Sequence, residues 1–466
     1  MNTKHKILKD IFGHDAFRSF QEEVVDTILA KKDVLTILPT GGGKSLCYQL
    51  PTLLMSGTTI VISPLIALMQ DQIKALNELN IRSAMISSLQ DNQENAQTLQ
   101  ALLKEELKFM YVSPERLSSN DFIGVLHRIA INYFVIDEAH CVSAWGHEFR
   151  AEYRNLHRLK QFFPQTPICA FTATATKKVQ ADIAASLNLH QPKHFRAKTV
   201  RDNLDICVEP RISNGKTQIL NFLKIHQGLC GIIYTFTRKE SESLAHFLCE
   251  NGYKAKAYHA GLNSEVKNDV YEDFVYEKID IVVATIAFGM GIDKSNIRFV
   301  IHTSLPKTLE NYYQEIGRAG RDGEMAYVYL LYAKSDEVKR KIQIQEAIDS
   351  TYKQTGLDKL EAMYRYCVSN HCRHKIIANY FEDEIEECKT LCDNCTKEAV
   401  EQVNMSIEAQ KFLSAIYRSE QRFGTNHIID ILRGSKNQKL LEFGHNKLSV
   451  YGLGEKKSKN EWTAIA

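Results

Sequence analysis

The sequence has 466 residues, 44% of them apolar, and a net charge of +2. This length predicts about three or four domains. The nearly neutral charge excludes a protein that is basic all over, so any nucleic-acid-binding surface must be local. The N-terminal segment MNTKHKILKDIFG lacks the apolar core of a signal peptide, and no run of about 18 apolar residues occurs. We therefore expect a cytoplasmic protein with no membrane partner, whose eleven cysteines are reduced apart from any metal site.

Apolar, β-rich runs alternate with helical patterns from about residue 20 to about residue 335, which predicts parallel sheets covered by helices. Eight strands are too many for one compact sheet, so we predict an α/β fold of two tandem lobes, residues 1–200 and 201–335. The break is expected in the polar segment near 195–215. The predicted strands are Val34–Leu38, Thr59–Ser63, Phe109–Ser113, Tyr133–Asp137, Ile168–Thr172, Gly231–Thr235, Ile279–Thr285 and Phe299–Thr303. Residues 336–402 read as a helical module, with a helix beginning near Leu357, and 403–466 form a separate tail.

A glycine-rich turn follows the first predicted strand and opens a helix. Strand, turn and helix point backbone N–H groups at a phosphate. In such a turn Lys44 reaches the terminal phosphates and the Ser45 hydroxyl binds Mg²⁺. Leu38 occupies the position of the usual first glycine, so a flexible hairpin remains an alternative. The candidate nucleotide-binding residues here are Thr40, Gly41, Gly42, Gly43, Lys44 and Ser45.

Two carboxylates end the fourth predicted strand, in the sequence YFVIDEAH. Ligands bind at the carboxyl ends of parallel strands. Asp137 is therefore a candidate Mg²⁺ ligand, and Glu138 a candidate for orienting the attacking water. The alternative is a solvated acidic strand end.

These two motifs resemble those of superfamily 2 helicases of the DEAH type, whose first motif tolerates the loss of the leading glycine. Other segments resemble the RecQ helicases, in order and spacing, over residues 8–323. They are FGHDAFRSFQ, SPLIALMQDQ, YVSPERL, AWGHEFRAEY, FTATAT, YHAGL, VVATIAFGMGIDK and YYQEIGRAGRDG. The resemblance implies two RecA-like lobes and ATP- and Mg²⁺-dependent 3′→5′ unwinding of DNA in recombination and repair. It implies single-stranded and duplex DNA as partners.

Further site residues follow from the resemblance together with their chemistry. The Gln21 amide is suited to adenine, with Arg18 beside the base or simply solvated; His14 stands where the family has a tyrosine. In the second lobe Arg321 is expected to be the arginine finger, supported by Arg318. Thr172 and Thr174 occupy the positions that sense the nucleotide state, although a buried strand end explains them nearly as well.

The segment WGHEFR predicts a loop that couples DNA to hydrolysis. Stacking on bases is sequence-tolerant, and aromatic-type side chains next to glycine and arginine suit an exposed loop, core packing being the alternative. The candidate DNA-coupling residues are Trp145, His147, Phe149 and Arg150. Ser63, Ser113 and Arg116 are expected to contact backbone phosphates.

Four cysteines follow the predicted helix with the spacing C-x₁₅-C-x₃-C-x₂-C: Cys372, Cys388, Cys392 and Cys395. Four thiolates suit a closed structural Zn²⁺ site, and the pattern resembles the RecQ zinc module, where the middle spacing is usually C-x₂-C. Coincidental clustering is the alternative. Cys367 is expected to be a buried thiol outside the cluster.

The tail resembles the first part of a RecQ winged-helix domain, and we expect the chain to end before that domain is complete. A helix starting near Asn426 and the basic residues Arg433, Lys436 and Lys439 could follow duplex phosphates, or form a solvated face. Two rival functions stay open: a DNA-binding or annealing module with a decayed ATPase, and an RNA remodeller. A monomer in the bacterial cytoplasm, associated with the nucleoid, and a single-strand-binding protein as partner are further expectations.

Overall fold

The computed structural model describes residues 3–87, 90–143, 145–146, 150–286, 288–289, 294–346, 350–397 and 404–465. The chain divides into two compact units, Met1–Thr396 and Lys397–Ala466. None of the described helices is long and apolar enough to cross a bilayer.

The first lobe contains a seven-stranded sheet in the order β3-β4-β2-β5-β6-β1-β7. Every strand pairs in parallel with its neighbours. Most strands are buried along nearly their whole length because helices cover both faces. The strands are β1 (Val34–Ile37), β2 (Thr58–Ile62), β3 (Ser83–Ile86), β4 (Phe109–Val112), β5 (Ile131–Ile136), β6 (Ile168–Thr172) and β7 (Lys193–Arg196).

The helices of this lobe lie between the strands. They are α1 (Thr3–Asp10), α2 (Gln21–Leu29), α3 (Lys44–Leu53), α4 (Ile66–Glu78), α5 (Asn92–Leu103), α6 (Asn120–Leu126), α7 (Ala151–Arg154), α8 (Arg158–Phe162) and α9 (Lys177–Ser186). Short 3₁₀ helices span Arg116–Ser118, Ala139–Val142 and Asn155–His157. Two apolar cores fill the two faces of the sheet.

The second lobe contains a six-stranded parallel sheet in the order β10-β11-β9-β12-β13-β8. Its strands are β8 (Leu204–Pro210), β9 (Gly231–Tyr234), β10 (Ala255–Tyr258), β11 (Ile281–Ala284), β12 (Phe299–His302) and β13 (Ala326–Tyr332). Its helices are α10 (Lys216–Ile225), α11 (Arg238–Glu250), α12 (Ser264–Val275) and α13 (Leu309–Ile316).

All eight predicted strands are present, but five observed strands are not among them. Four of these lie at sheet edges: β3, β7, β8 and β10. The segment 195–215, where the break between the lobes is expected, contains the unpredicted strand β8. Its residues alternate between buried and half-buried positions, so it lacks the continuous apolar run that marks a central strand.

The module after the second sheet is helical, with α14 (Lys334–Gln345), α15 (Ser350–Val368), α16 (Arg373–Tyr380) and α17 (Asp393–Thr396). The predicted helix therefore begins at Ser350 rather than near Leu357. Leu360 and Met363 of α15 belong to the same core as the second sheet. A β-bridge between Ile206 and Cys392 joins the module to the exposed edge of β8.

The second unit contains α18 (Ser406–Arg418), α19 (Thr425–Leu432), α20 (Gln438–Glu442) and α21 (Lys459–Ile465), with a 3₁₀ helix at His445–Lys447. The helix predicted near Asn426 is confirmed as α19. Its core centres on Trp462, whose indole N–H donates to the Gly454 carbonyl at 2.8 Å. Every regular element described within 404–465 is helical.

Candidate functional site

The glycine-rich turn connects β1 to α3 in a backbone form that requires its glycines. Gly41 and Gly43 have φ of +80° and +77°. A Cβ on Gly43 would lie 2.3 Å from Gln21 Nε2, and one on Gly42 would lie 2.9 Å from the Pro39 carbonyl. No side chain caps the start of α3, so its first N–H groups are available to an anion. Lys44 and Ser45 are the first two residues of this helix.

The Gln21 side chain holds this turn through hydrogen bonds to its backbone carbonyls. It is buried, and its Nε2 donates to the carbonyls of Gly42 at 3.1 Å and Gly43 at 3.3 Å. Its Oε1 accepts the Arg18 backbone N–H at 2.8 Å, and the Arg18 guanidinium donates to the Gly41 carbonyl at 3.3 Å. Both the oxygen and the nitrogen of the Gln21 amide therefore hydrogen-bond to backbone groups of this protein. Contact of Gln21 or Arg18 with adenine stays a prediction.

The two carboxylates lie at the end of β5, close to the lysine of the turn. Burial, reinforced by the neighbouring Glu138 charge and opposed by Lys44, raises the pKa of Asp137 to about 6. Glu138 has a left-handed backbone with φ of 48°. Its Oε1 lies 3.6 Å from Lys44 Nζ. The Lys44 ammonium, suited to phosphate, and the Asp137 and Glu138 carboxylates, suited to a metal ion, therefore lie close together at the end of β5.

A line of polar contacts leads from Glu138 to the end of β6. His140 Nδ1 lies 3.2 Å from Glu138 Oε2 and 2.9 Å from Thr172 Oγ1. The Thr174 N–H donates to the same hydroxyl at 3.2 Å. Burial alone would lower the pKa of His140, but its contacts with Cys141 and Glu138 raise it to about 10. The two threonines predicted to sense the nucleotide thus lie on the histidine side of the carboxylate pair.

Two further side chains hold the candidate metal ligands. Gln72 Nε2 donates to Ser45 Oγ at 3.1 Å, while its Oε1 accepts the hydroxyls of Tyr48 at 2.7 Å and Tyr111 at 3.0 Å. The Tyr153 hydroxyl donates to the Asp137 carbonyl at 3.2 Å. Sequence reasoning assigned neither Gln72 nor Tyr153 a role. The sequence could have indicated both residues, because Gln72 is the last residue of the motif SPLIALMQDQ and Tyr153 is the last residue of AWGHEFRAEY.

The second lobe meets the glycine turn directly. A Cβ on Gly41 would lie 2.9 Å from Arg321 Cγ, and one on Gly317 would lie 3.2 Å from Thr40 Cβ. The structure therefore brings Arg321 to the turn, as the finger role requires. Arg318 is buried and lies beside Gly289, where a Cβ would come within 3.0 Å of its Nη2.

The described part of the WGHEFR loop leaves Trp145 partly accessible. This side chain is 39% exposed, and Lys178 Nζ lies 3.2 Å from the centre of its ring. The Arg150 guanidinium donates to the Pro64 carbonyl at 3.0 Å. His147 and Phe149 lie outside the described residues. Among the predicted phosphate contacts, Ser63 is buried, which disfavours it as a direct contact, whereas Ser113 and Arg116 are half-buried.

The four predicted cysteines come together, with their sulfur atoms all within 4.8 Å of one another. Backbone N–H groups donate to two of these sulfur atoms. The Cys388 N–H lies 3.3 Å from Cys372 Sγ, and the Arg373 N–H lies 3.4 Å from Cys392 Sγ. N–H donation of this kind favours thiolates, the form that binds metal. The donor set therefore fits tetrahedral Zn²⁺.

The residues next to the cysteines brace the cluster. Arg373 and Asp393 form a buried pair in which Nε and Nη2 donate to the two carboxylate oxygens at 2.9 and 3.1 Å. This pair ties the segment of Cys372 to that of Cys392. Cys367 is buried and outside the cluster, which confirms its prediction.

Two parallel-sheet lobes, a glycine-rich turn at the start of a helix, a carboxylate pair and an arginine brought from the other lobe are together typical of a two-lobed nucleotide hydrolase of the helicase type. Family models agree along the chain. Residues 18–182 match "DEAD/DEAH box helicase" and 215–323 "Helicase conserved C-terminal domain". Residues 334–396 match "RecQ zinc-binding" and 399–466 "RQC domain".

Similar proteins agree with these matches. The chain is 41% identical to ATP-dependent DNA helicase RecQ of Haemophilus influenzae, over 99% of this chain and 74% of that protein. It is 40% identical to the RecQ helicase of Bacillus subtilis, over 99% of this chain and 78% of that protein. The chain belongs to the RecQ family of helicases. Its fold also matches a structure of the DEAD-box helicase Mss116 bound to single-stranded RNA, with a TM-score of 0.60, 18% identity and coverage of 82% of this chain and 90% of that one.

Proposed function

We propose that this protein is an ATP-dependent DNA helicase that moves 3′→5′ along single-stranded DNA and separates the duplex ahead of it. The observation that carries the proposal is the contact of Arg321 with Gly41, on the turn that opens into Lys44 beside Glu138. Catalytic groups of two lobes meet at one phosphate site, so hydrolysis there can be coupled to relative movement of the lobes.

Each polar group at this site has a role in phosphoryl transfer. The N–H groups at the start of α3 and Lys44 would hold the phosphates, and Ser45 with Asp137 would hold Mg²⁺, which would neutralise charge on the phosphates. Glu138 orients the attacking water, and its left-handed backbone and His140 fix the direction of its carboxylate. Arg321 stabilises the charge that develops on the transferred phosphate, with Arg318 in support.

We assign DNA contact in the first lobe to the WGHEFR loop. The partly exposed indole of Trp145 suits base stacking, and the loop begins five positions after His140, which contacts Glu138. Movement of the loop on DNA therefore reaches the residue that orients water. In the second unit Arg433, Lys436 and Lys439 are exposed and available to duplex phosphates.

Zn²⁺ has a structural role in this proposal. The four cysteines close the site with protein ligands alone, and a closed site has no position for a catalytic water. We further propose action as a monomer in the bacterial cytoplasm, on nucleoid DNA, with a single-strand-binding protein as partner. Kinship with bacterial RecQ helicases supports this setting.

The test compares ATP hydrolysis by purified protein with single-stranded DNA, duplex DNA and RNA, alongside unwinding of 3′-tailed and 5′-tailed duplexes. We expect strong stimulation by single-stranded DNA and unwinding of the 3′-tailed duplex. Glu138→Gln is the matched control that should remove hydrolysis on every substrate. Equal stimulation by RNA and DNA would favour the RNA remodeller, and DNA binding without any hydrolysis would favour the annealing module.

A further inference from the structure

Lys359 of α15 connects three parts of the first unit through one ammonium group. Its Nζ donates to the Trp145 backbone carbonyl at 2.8 Å and lies 2.9 Å from Glu310 Oε1. Trp145 belongs to the first lobe, Glu310 to α13 of the second lobe, and Lys359 to the zinc-bearing module. An ammonium has three N–H donors, so it can make both contacts at once.

The surroundings strengthen the ion pair. The Lys359 side chain is 14% exposed and that of Glu310 is 7% exposed, so solvent screens the pair less than a surface pair. Glu310 therefore ties the beginning of α13 to the module through its ion pair with Lys359.

Both partners of Lys359 continue to the nucleotide site. From Trp145, the backbone N–H donates to Ser143 Oγ at 3.2 Å, and the chain reaches His140 three residues earlier. From Glu310, α13 continues to Ile316 and into the segment that carries Arg321 to Gly41. The water-orienting carboxylate and the arginine finger are thus each connected to Lys359.

We propose that Lys359 is a positioning residue that couples the DNA-contacting loop to α13 and, through α13, to Arg321. The proposal rests on the proposed function, because it requires that DNA contacts the loop. Stacking of a base on Trp145 shifts its carbonyl, which changes the contact available to Lys359 and the restraint on Glu310. Coupling between sites requires contacts of this kind that differ between two states.

The test uses Lys359→Met, which keeps the length of the side chain and removes its donors. We expect the ratio of DNA-saturated to DNA-free kcat to fall by about fivefold or more, the scale of one coupling contact, with KM for ATP and the zinc stoichiometry unchanged. Lys359→Arg should recover most of the ratio. Lys341→Met is the matched control, because Lys341 lies in the same module and pairs with Glu337, away from the loop.

Fluorescence gives a second readout that a purely structural role would not move. The chain has two tryptophans, so Trp462→Phe leaves Trp145 as the sole probe. In that background we expect single-stranded oligonucleotide to change Trp145 emission with and without Lys359, whereas addition of a non-hydrolysable ATP analogue should change it only when Lys359 is present. Glu310→Gln should reproduce the kinetic effect if Lys359→Met proves insoluble.

The outcomes separate this inference from the proposed function. In one outcome, Trp145→Ala loses DNA stimulation while Lys359→Met and Glu310→Gln keep it within about twofold of wild type, which is far below the usual scale of coupling. That result would overturn the coupling role of Lys359 and leave the proposed function intact. If wild-type protein shows no DNA stimulation, both fall.

Discussion

Asp137 is a residue whose position favours chemistry over stability. Its carboxyl is buried beside a second carboxylate, and its pKa is raised to about 6 from an ordinary value of 3.8. At this group the folded protein binds more protons than the unfolded chain between about pH 4 and pH 6. The contribution of Asp137 to stability therefore falls as the pH rises through that window and is level above it. A buried carboxyl whose ionisation lowers stability fits the proposed role of Asp137 as a Mg²⁺ ligand.

Asp137→Asn should therefore stabilise the metal-free protein while abolishing hydrolysis. The amide keeps the Oδ1 that accepts the Glu138 N–H at 3.0 Å and removes the buried charge. We expect the free energy of unfolding at pH 7 without Mg²⁺ to rise by about 1–3 kcal/mol, with little difference from wild type at pH 4. Chemical denaturation at both pH values measures this, and a variant less stable than wild type at pH 7 would contradict the assignment.

Lys44 is expected to separate nucleotide binding from DNA binding. Its ammonium faces Glu138 at the glycine turn, whereas Trp145 lies on the loop beyond His140. Lys44→Ala should abolish ATP-dependent unwinding of a 3′-tailed duplex and leave the affinity for single-stranded DNA within about threefold, because the basic and stacking contacts to DNA are untouched. Fluorescence anisotropy gives the affinity, and a parallel loss of both activities would refute the separation of sites.

At the scale of elements, the sequence predicts every central strand except β13 and misses all four edge strands. Strands such as β5 and β6 are buried along nearly their whole length because both faces are covered, whereas β7 has the sequence KHFR with one buried residue. An edge strand pairs on one side only, and its place depends on the neighbour it finds in the folded chain. The same limit applies to the site. The glycine turn, carboxylates and cysteines are local patterns, but the Gln72 and Lys359 contacts join residues far apart in sequence.

The zinc-bearing element supports a prediction about its own integrity. Cys395→Ser should lower the zinc content toward zero and make residues near 382–396 sensitive to protease, because the cluster and the Arg373–Asp393 pair hold that segment. Helix α15 should survive, since it packs into the core of the second sheet, and the lobes should keep some hydrolysis.

Cys367→Ala is the matched control for this change. That thiol is equally close in sequence but lies outside the cluster, so the variant should retain one zinc per chain. Atomic emission on protein purified without chelator measures the metal. A wild-type content near zero would refute the zinc site, and full zinc in Cys395→Ser would refute this ligand.

At the scale of the first unit, the module holds both lobes. It shares a core with the second sheet, and its segment after α16 contacts the first lobe. Asp383 Oδ1 lies 3.1 Å from Arg196 Nη2 at the end of β7, and Oδ2 accepts the Thr199 N–H at 2.8 Å. Glu382 accepts the Lys177 N–H at 2.7 Å, at the beginning of α9. Asp383 therefore holds the segment that connects the two lobes, residues 197–203, against the module, and Glu382 holds the beginning of α9.

Asp383→Ala should loosen the segment that connects the two lobes, residues 197–203. It removes an ion pair with Arg196, half-buried on both sides, and the hydrogen bonds to Thr199, so residues 197–203 should be cleaved faster by protease and the free energy of unfolding should fall by about 1–3 kcal/mol. Glu384→Ala, an exposed carboxylate one position further on, should change neither. Because a looser connecting segment lets the lobes separate without disturbing the glycine turn, we expect KM for ATP to rise more than kcat falls at saturating ATP and DNA. Cleavage at the wild-type rate, with unchanged KM, would mean that the lobes are held together by the Arg321 contact and the shared core alone.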